Sequence, residues 1–163
     1  MKRIFFLIAL VFAGTITFAQ TNSIVGKWKF ANLDTKEFKV DLENPASMKK
    51  TMIEQIEKEG GTVPDSTTLA AAIEMMVSMF MSMKMEFTAD GKAIAFIPSP
   101  DGSDEMMMDT ASYTIDYTTG ILNTISEKNG KEVKEQIIIK FEADYMIMAK
   151  PEEQEIIKMR RVK

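Results

Sequence analysis

All the sulfur in this chain is thioether: it has fifteen methionines and no cysteine. Met75, Met76, Met79, Met81, Met83 and Met85 crowd one stretch, Met106, Met107 and Met108 form a second cluster, and Met146 and Met148 a third. Thioethers are soft, polarizable and unbranched. They can fill irregular gaps in a core, line an adaptable apolar pocket, or ligate a soft ion such as Cu(I). Packing is the commonest of these uses, so the clusters mark apolar surface first and chemistry second.

The absences are as informative. With no histidine and no cysteine, the chain lacks the commonest general base, the usual transition-metal ligands, the Ser-His-Asp and Cys-His arrangements, and thiol redox chemistry. Carboxylates gather at Asp101, Asp104, Glu105 and Asp109. They lack the twelve-residue spacing and closing Glu of a calcium-binding EF-hand loop, and read as a solvated acidic loop. Gly60-Gly61 lies between helical segments, the wrong context for a phosphate loop. No nucleophile–base pair can be assembled, so the expectation is a protein that is not an enzyme, with no cofactor, no catalytic residue and no metal site.

The formal charge of −4 over 163 residues, without a basic stripe, argues against a nucleic-acid partner. Hydrophobic residues make up 45% of the chain, enough for a real core. Lys2 and Arg3, the apolar run from Ile4 to Phe12, and Thr17-Phe18-Ala19 read as the three parts of a cleavable secretion signal. The run is shorter than the about 20 residues that a membrane span needs. Residues 1–19 are therefore expected to be removed. That leaves a mature domain of residues 20–163 carrying a charge of −6, since Lys2 and Arg3 leave with the signal. With no cysteine to carry a lipid, the expectation is a soluble periplasmic or secreted protein without a stable membrane anchor.

The elements that must position the methionines follow from periodicity. Ile24 to Phe30 reads as a strand, and Phe38, Val40 and Leu42 allow a second short one. Asn44-Pro45 opens a helix with Met48, Met52, Ile53 and Ile56 on one face. It stops at Gly60-Gly61. Asp65-Ser66 can cap a second helix near Thr67, with Leu69, Ile73, Met76, Val77 and Phe80 at helical spacing. From Met83 the period is two. Seven strands are expected, near 83–88, 93–97, 113–118, 121–126, 133–141, 145–149 and 155–162, separated by turns such as Asp90-Gly91 and Asn129-Gly130. Short connections make antiparallel neighbours, and closing the meander into a barrel removes its two exposed edges.

Gly26-Lys27-Trp28 on the first strand, Arg160-Arg161 on the last, and the hairpin chain beginning at Phe87-Thr88-Ala89-Asp90-Gly91-Lys92 together resemble the lipocalin-like domains of secreted proteins from Bacteroidetes-type bacteria. The resemblance covers the mature chain in outline. It implies that Trp28 sits at the closed base of the barrel and that a basic residue of the last strand packs on its ring. Strand alternation places Ile157, Met159 and Arg161 on one face, favouring Arg161. The two helices depart from typical lipocalins. They look like the helical pair that fatty-acid-binding proteins carry after their first strand, although the ten strands and carboxylate-binding Arg pair of that family are not evident. The Met79-x-Met81-x-Met83-x-Met85 spacing is similar to copper-handling segments of periplasmic proteins, which usually add His, Cys or a nearby Trp; this chain has neither His nor Cys.

The resulting expectation is a mainly β, antiparallel up-and-down barrel of about eight strands, with a two-helix insertion at 45–82 after the first strand. Its expected role is binding of a small apolar or amphipathic ligand inside the barrel, lined by Met76, Met79, Phe80, Met83, Met85, Phe87, Tyr113 and Tyr117. Gly26, Trp28 and Arg161 are expected to close the base. The alternatives are a cell-envelope interaction module with a filled barrel, and methionine-based Cu(I) handling.

Overall fold

A computed structural model describes residues 23–37, 39–58, 67–99 and 106–163. The expected signal, Phe38, the Gly60-Gly61 and Asp65-Ser66 helix boundaries and the acidic loop from Asp101 to Glu105 lie outside these residues. Two strands come first, β1 (Gly26–Asp34) and β2 (Lys39–Asp41), then the helices α1 (Pro45–Lys58) and α2 (Thr67–Ser82). Seven strands complete the chain: β3 (Lys84–Phe87), β4 (Lys92–Pro98), β5 (Met106–Asp116), β6 (Ile121–Lys128), β7 (Lys131–Glu142), β8 (Tyr145–Lys150) and β9 (Glu155–Arg161). Each strand from β3 onward pairs antiparallel with the next, and β9 returns to β1. The result is a closed antiparallel barrel of eight strands, with β2 appended to the far half of β1.

Turn chemistry sets the register. Asn129 and Gly130 both have positive φ (54° and 72°) between the directly paired Lys128 and Lys131. That is the two-residue turn whose twist matches the strands it joins. Beyond such turns the paired residues alternate between the two faces. Ile24, Trp28, Phe87, Ala93, Leu122, Ile137, Ile139, Met146, Met148 and Met159 form one buried cluster inside the barrel.

One irregularity lets β1 serve two cores. Phe30 pairs with Met159 and Asn32 with Lys158, so Ala31 bulges out of the ladder to β9. The bulge restores the alternation one residue later, and Leu33, opposite Ile157, shares a face with Trp28 and Phe30. Ala31 itself is buried, and its carbonyl accepts a hydrogen bond from Leu42 N at 2.9 Å. Phe30 packs against the barrel core and also against a second cluster of Val40, Leu42, Met48, Ile73 and Val77, built by β2 and the helix pair.

The helices start and seat as their residues dictate. Asn44 Oδ1 accepts from Ala46 N and Ser47 N, both at 3.1 Å, capping α1 with Pro45 at its first position. Met48 is fully buried and anchors α1. α2 touches β1 and β4. β5 begins seven residues before the expected Tyr113. Its Met106 to Ala111 half pairs with β4 alone, and the ladder to β6 covers Ser112 to Asp116. The β4–β5 and β6–β7 hairpins therefore diverge at the end of the barrel away from its base.

Candidate functional site

The structure divides the expected lining into two places. Phe87 and Tyr113 lie at the base, their rings edge to face with centroids 5.2 Å apart. Tyr113 Oη donates to Thr88 O at 2.7 Å, and burial pushes its phenol above the usual tyrosine range. Met85 packs against the same barrel core. Tyr117 is more than half exposed, yet its Oη accepts from Ile24 N at 3.2 Å and its ring stacks with Phe141 at 6.5 Å. These aromatic rings close the floor.

The closing residues meet at the same end. Arg161 places its guanidinium 4.3 Å from the centroid of the Trp28 ring. Its Nη1 donates to Val25 O at 3.0 Å and its Nη2 to Ser23 O. Trp28 is buried and donates from Nε1 to Ile24 O at 2.8 Å. The segment of residues 23–25 before β1 is thereby held across the base. Gly26 makes this possible: its φ is +135°, and a Cβ there would stand 2.8 Å from Arg161 Nη1.

Met76 and Phe80 lie elsewhere, in the wall of a cleft of about 220 Å³ between the helix pair, β1 and β2. Leu33, Val40 and Leu42 form its sheet side, and Met48, Met52 and Ile56 its α1 side. Thr51 and Gln55 are the polar members of the lining, and none is charged. Met79 and Met83 are half-buried near the end of α2 and are not part of this wall. The expected single lining inside the barrel is thus not assembled. Sequence reasoning missed the α1 and β2 half of the cleft. The signal was present in the apolar face of Met48, Met52 and Ile56, and in Val40 and Leu42 alternating with Asp41.

Charges sit around the apolar regions and do not enter them. Lys49 Nζ meets Glu74 Oε1 at 2.5 Å, tying α1 to α2 at the surface. Lys150 is held by Glu135 at 2.9 Å and lies 3.7 Å from Glu153. Burial acts to lower the Lys150 pKa, but the hydrogen bond and charge of Glu135, with Glu153 and Glu155, outweigh it and leave the ammonium above its usual range. Among the described residues no group of three His, Cys, Asp or Glu side chains converges to hold a metal ion. No helix among them is long and apolar enough to cross a membrane.

No protein-family model matches the chain, and no curated protein matches it. Among solved structures it is similar to a DUF4847 family protein from Bacteroides vulgatus ATCC 8482, whose crystal structure was determined at 1.00 Å resolution. The likeness covers 85% of this chain and 93% of that one, with a TM-score of 0.51 and 11% sequence identity. Identity that low shows shared fold alone, and the coverage shows that the fold is shared across nearly the whole of both chains.

Proposed function

We propose that this chain is an exported, non-enzymatic binding protein that holds a small, uncharged apolar ligand in the cleft beneath its helix pair. The observation that carries this reading is the cleft itself: about 220 Å³ walled by Leu33, Val40, Leu42, Met48, Met52, Ile56, Met76 and Phe80, with no charged side chain. An apolar cavity of about 150 Å³ is enough to take up benzene, while drug-sized ligands occupy roughly 300–1,000 Å³. The site therefore suits one short hydrocarbon chain or ring system. A carboxylate buried in this wall would find no cation and would cost several kcal/mol. Export rests on the Lys2-Arg3, Ile4–Phe12 and Thr17–Ala19 pattern.

The neutral dye Nile red tests the site. Saturable binding with a fluorescence blue shift is expected for the native chain, and Val40→Asp should abolish it by placing a charge in the wall. Dye binding equal in both proteins would refute the cleft as the site. Intact mass of the exported protein should lack residues 1–19, and a mass retaining them would refute cleavage.

A second reading is an interaction module whose barrel holds no ligand. It is favoured by Met106, Met107 and Met108, exposed on the half of β5 that pairs with β4 alone, since exposed apolar edges mark contact surfaces.

A further inference from the structure

The described methionines differ widely in solvent access, with Met52, Met79, Met83 and Met85 half-buried between two extremes. Met48, Met146 and Met159 are fully buried, while Met75, Met76, Met81, Met106, Met107 and Met108 expose between 36% and 69% of their surface. Oxidation by peroxide follows access to the sulfur. Met76 alone of the exposed group is also part of the cleft wall, beside Phe80 and across from Met48 and Met52. Met75 and Met81 share α2 with it but are outside that wall, and Met106 to Met108 belong to β5.

We propose that Met76 is a peroxide-sensitive modification site that controls the cleft. The step is a two-electron oxygen transfer. The Met76 thioether sulfur attacks the terminal oxygen of a peroxide, the O–O bond breaks, and the proton on that oxygen passes to the departing hydroxide or alkoxide, so that an S=O bond forms and water or an alcohol leaves. Sulfur is oxidised and peroxide reduced, and no thiol is involved. The product is a polar sulfoxide whose oxygen is a strong hydrogen-bond acceptor. Most of the wall is aliphatic, aromatic or thioether, so the oxygen turns to water. It takes the α2 surface with it and leaves the cleft less apolar. Met106 to Met108 take up oxygen without touching the cleft.

The ligand consequence rests on the cleft being the binding site, whereas the change in α2 does not, so two readouts separate them. The full chain is treated with dilute hydrogen peroxide and the modified residues are located by peptide mass spectrometry. Met76 should gain one oxygen before Met48, Met146 and Met159. Nile red affinity should fall on the order of tenfold after treatment, as the Met76 side chain withdraws apolar surface from the wall. The fall should be absent when Met76→Leu is compared with itself before and after treatment. It should persist in a Met106→Leu, Met107→Leu, Met108→Leu triple variant. Hydrogen exchange across α2 should quicken on oxidation in the native chain and not in Met76→Leu. Equal loss of binding in native and Met76→Leu proteins, or oxidation of Met76 no earlier than Met48, overturns the proposal. If untreated protein fails to bind the dye, the cleft reading fails by itself. The α2 exchange then decides alone, and unchanged exchange after oxidation of Met76 overturns the modification site.

Discussion

A Cβ on Gly26 would lie 2.8 Å from Nη1 of Arg161, the nitrogen that donates to Val25 O. The glycine two residues before Trp28 is therefore an empty volume that the guanidinium fills on its way to the indole face. Its φ of +135° is also a conformation that side chains resist. Both requirements fall on one atom. Gly26→Ala should cost about 2 kcal/mol through backbone strain and displacement of Arg161. Urea unfolding will measure it, and a variant as stable as the native chain would contradict this account of the base.

The Arg161 contacts make a graded prediction. Its fork satisfies two carbonyls and covers one ring. Lysine keeps the charge but loses the planar fork. Arg161→Lys should lose about 1 kcal/mol and Arg161→Met about 2 kcal/mol, from the charged hydrogen bonds and the cation–π contact together. The order of the two midpoints in chemical denaturation is the test, and a reversed order would count against it.

Met48 should matter most among the helix residues. It is fully buried between α1 and the β2 side of the fold. Met48→Ala removes its contacts and leaves a void, for a cost of roughly 2–5 kcal/mol. The loss should appear as faster amide exchange in α1 with little change in β6 and β7. Uniform loss of protection across the whole barrel would mean that the two cores do not open separately.

Asp116 gives a pH-dependent signal without a large energy. It accepts from Thr118 N at 2.8 Å and Thr119 N at 3.4 Å in the β5–β6 turn. The backbone hydrogen bond from Thr118 is the chief cause holding its carboxyl below the usual 3.8. A carboxyl lowered in the folded state stabilises above its unfolded pKa, and that contribution disappears as the pH falls through the folded value. The amide shifts of Thr118 and Thr119 should therefore move only below pH 3.8. In Asp116→Asn the acceptor survives and the pH response should vanish. A response that persists in that variant would assign the titration to another group.

The strand order was legible because it is local. Hairpins at Asp90-Gly91 and Asn129-Gly130 announce themselves, and alternation from Tyr113 to Val162 does the rest. The early half of β5 was not legible. Met106-Met107-Met108 has no alternation and few β-branched residues, and it is a strand only because β4 offers it a ladder from Lys92 to Pro98. The cleft was half legible for a related reason. Helical spacing identifies which residues of α1 and α2 are apolar, but not which apolar surface they meet. The expected lining places the apolar residues of α2 at the barrel interior. The structure instead pairs them with β2, three residues long, which few strand rules would rank.

The bulge at Ala31 bears on how this chain can change its length. Turns such as Asn129-Gly130 can gain or lose residues with effects confined to a hairpin tip. The interval from Trp28 to Leu33 has no such freedom, because one strand serves two cores and the residue that bulges from it also holds Leu42. Deleting Ala31 would leave Leu33 opposite Ile157 but would remove the buried residue whose carbonyl holds Leu42 N. Adding a second residue that joined the ladder would turn Leu33 off the face it shares with Trp28. A length change that is harmless elsewhere in the barrel would at this one point uncouple the floor from the helical cover.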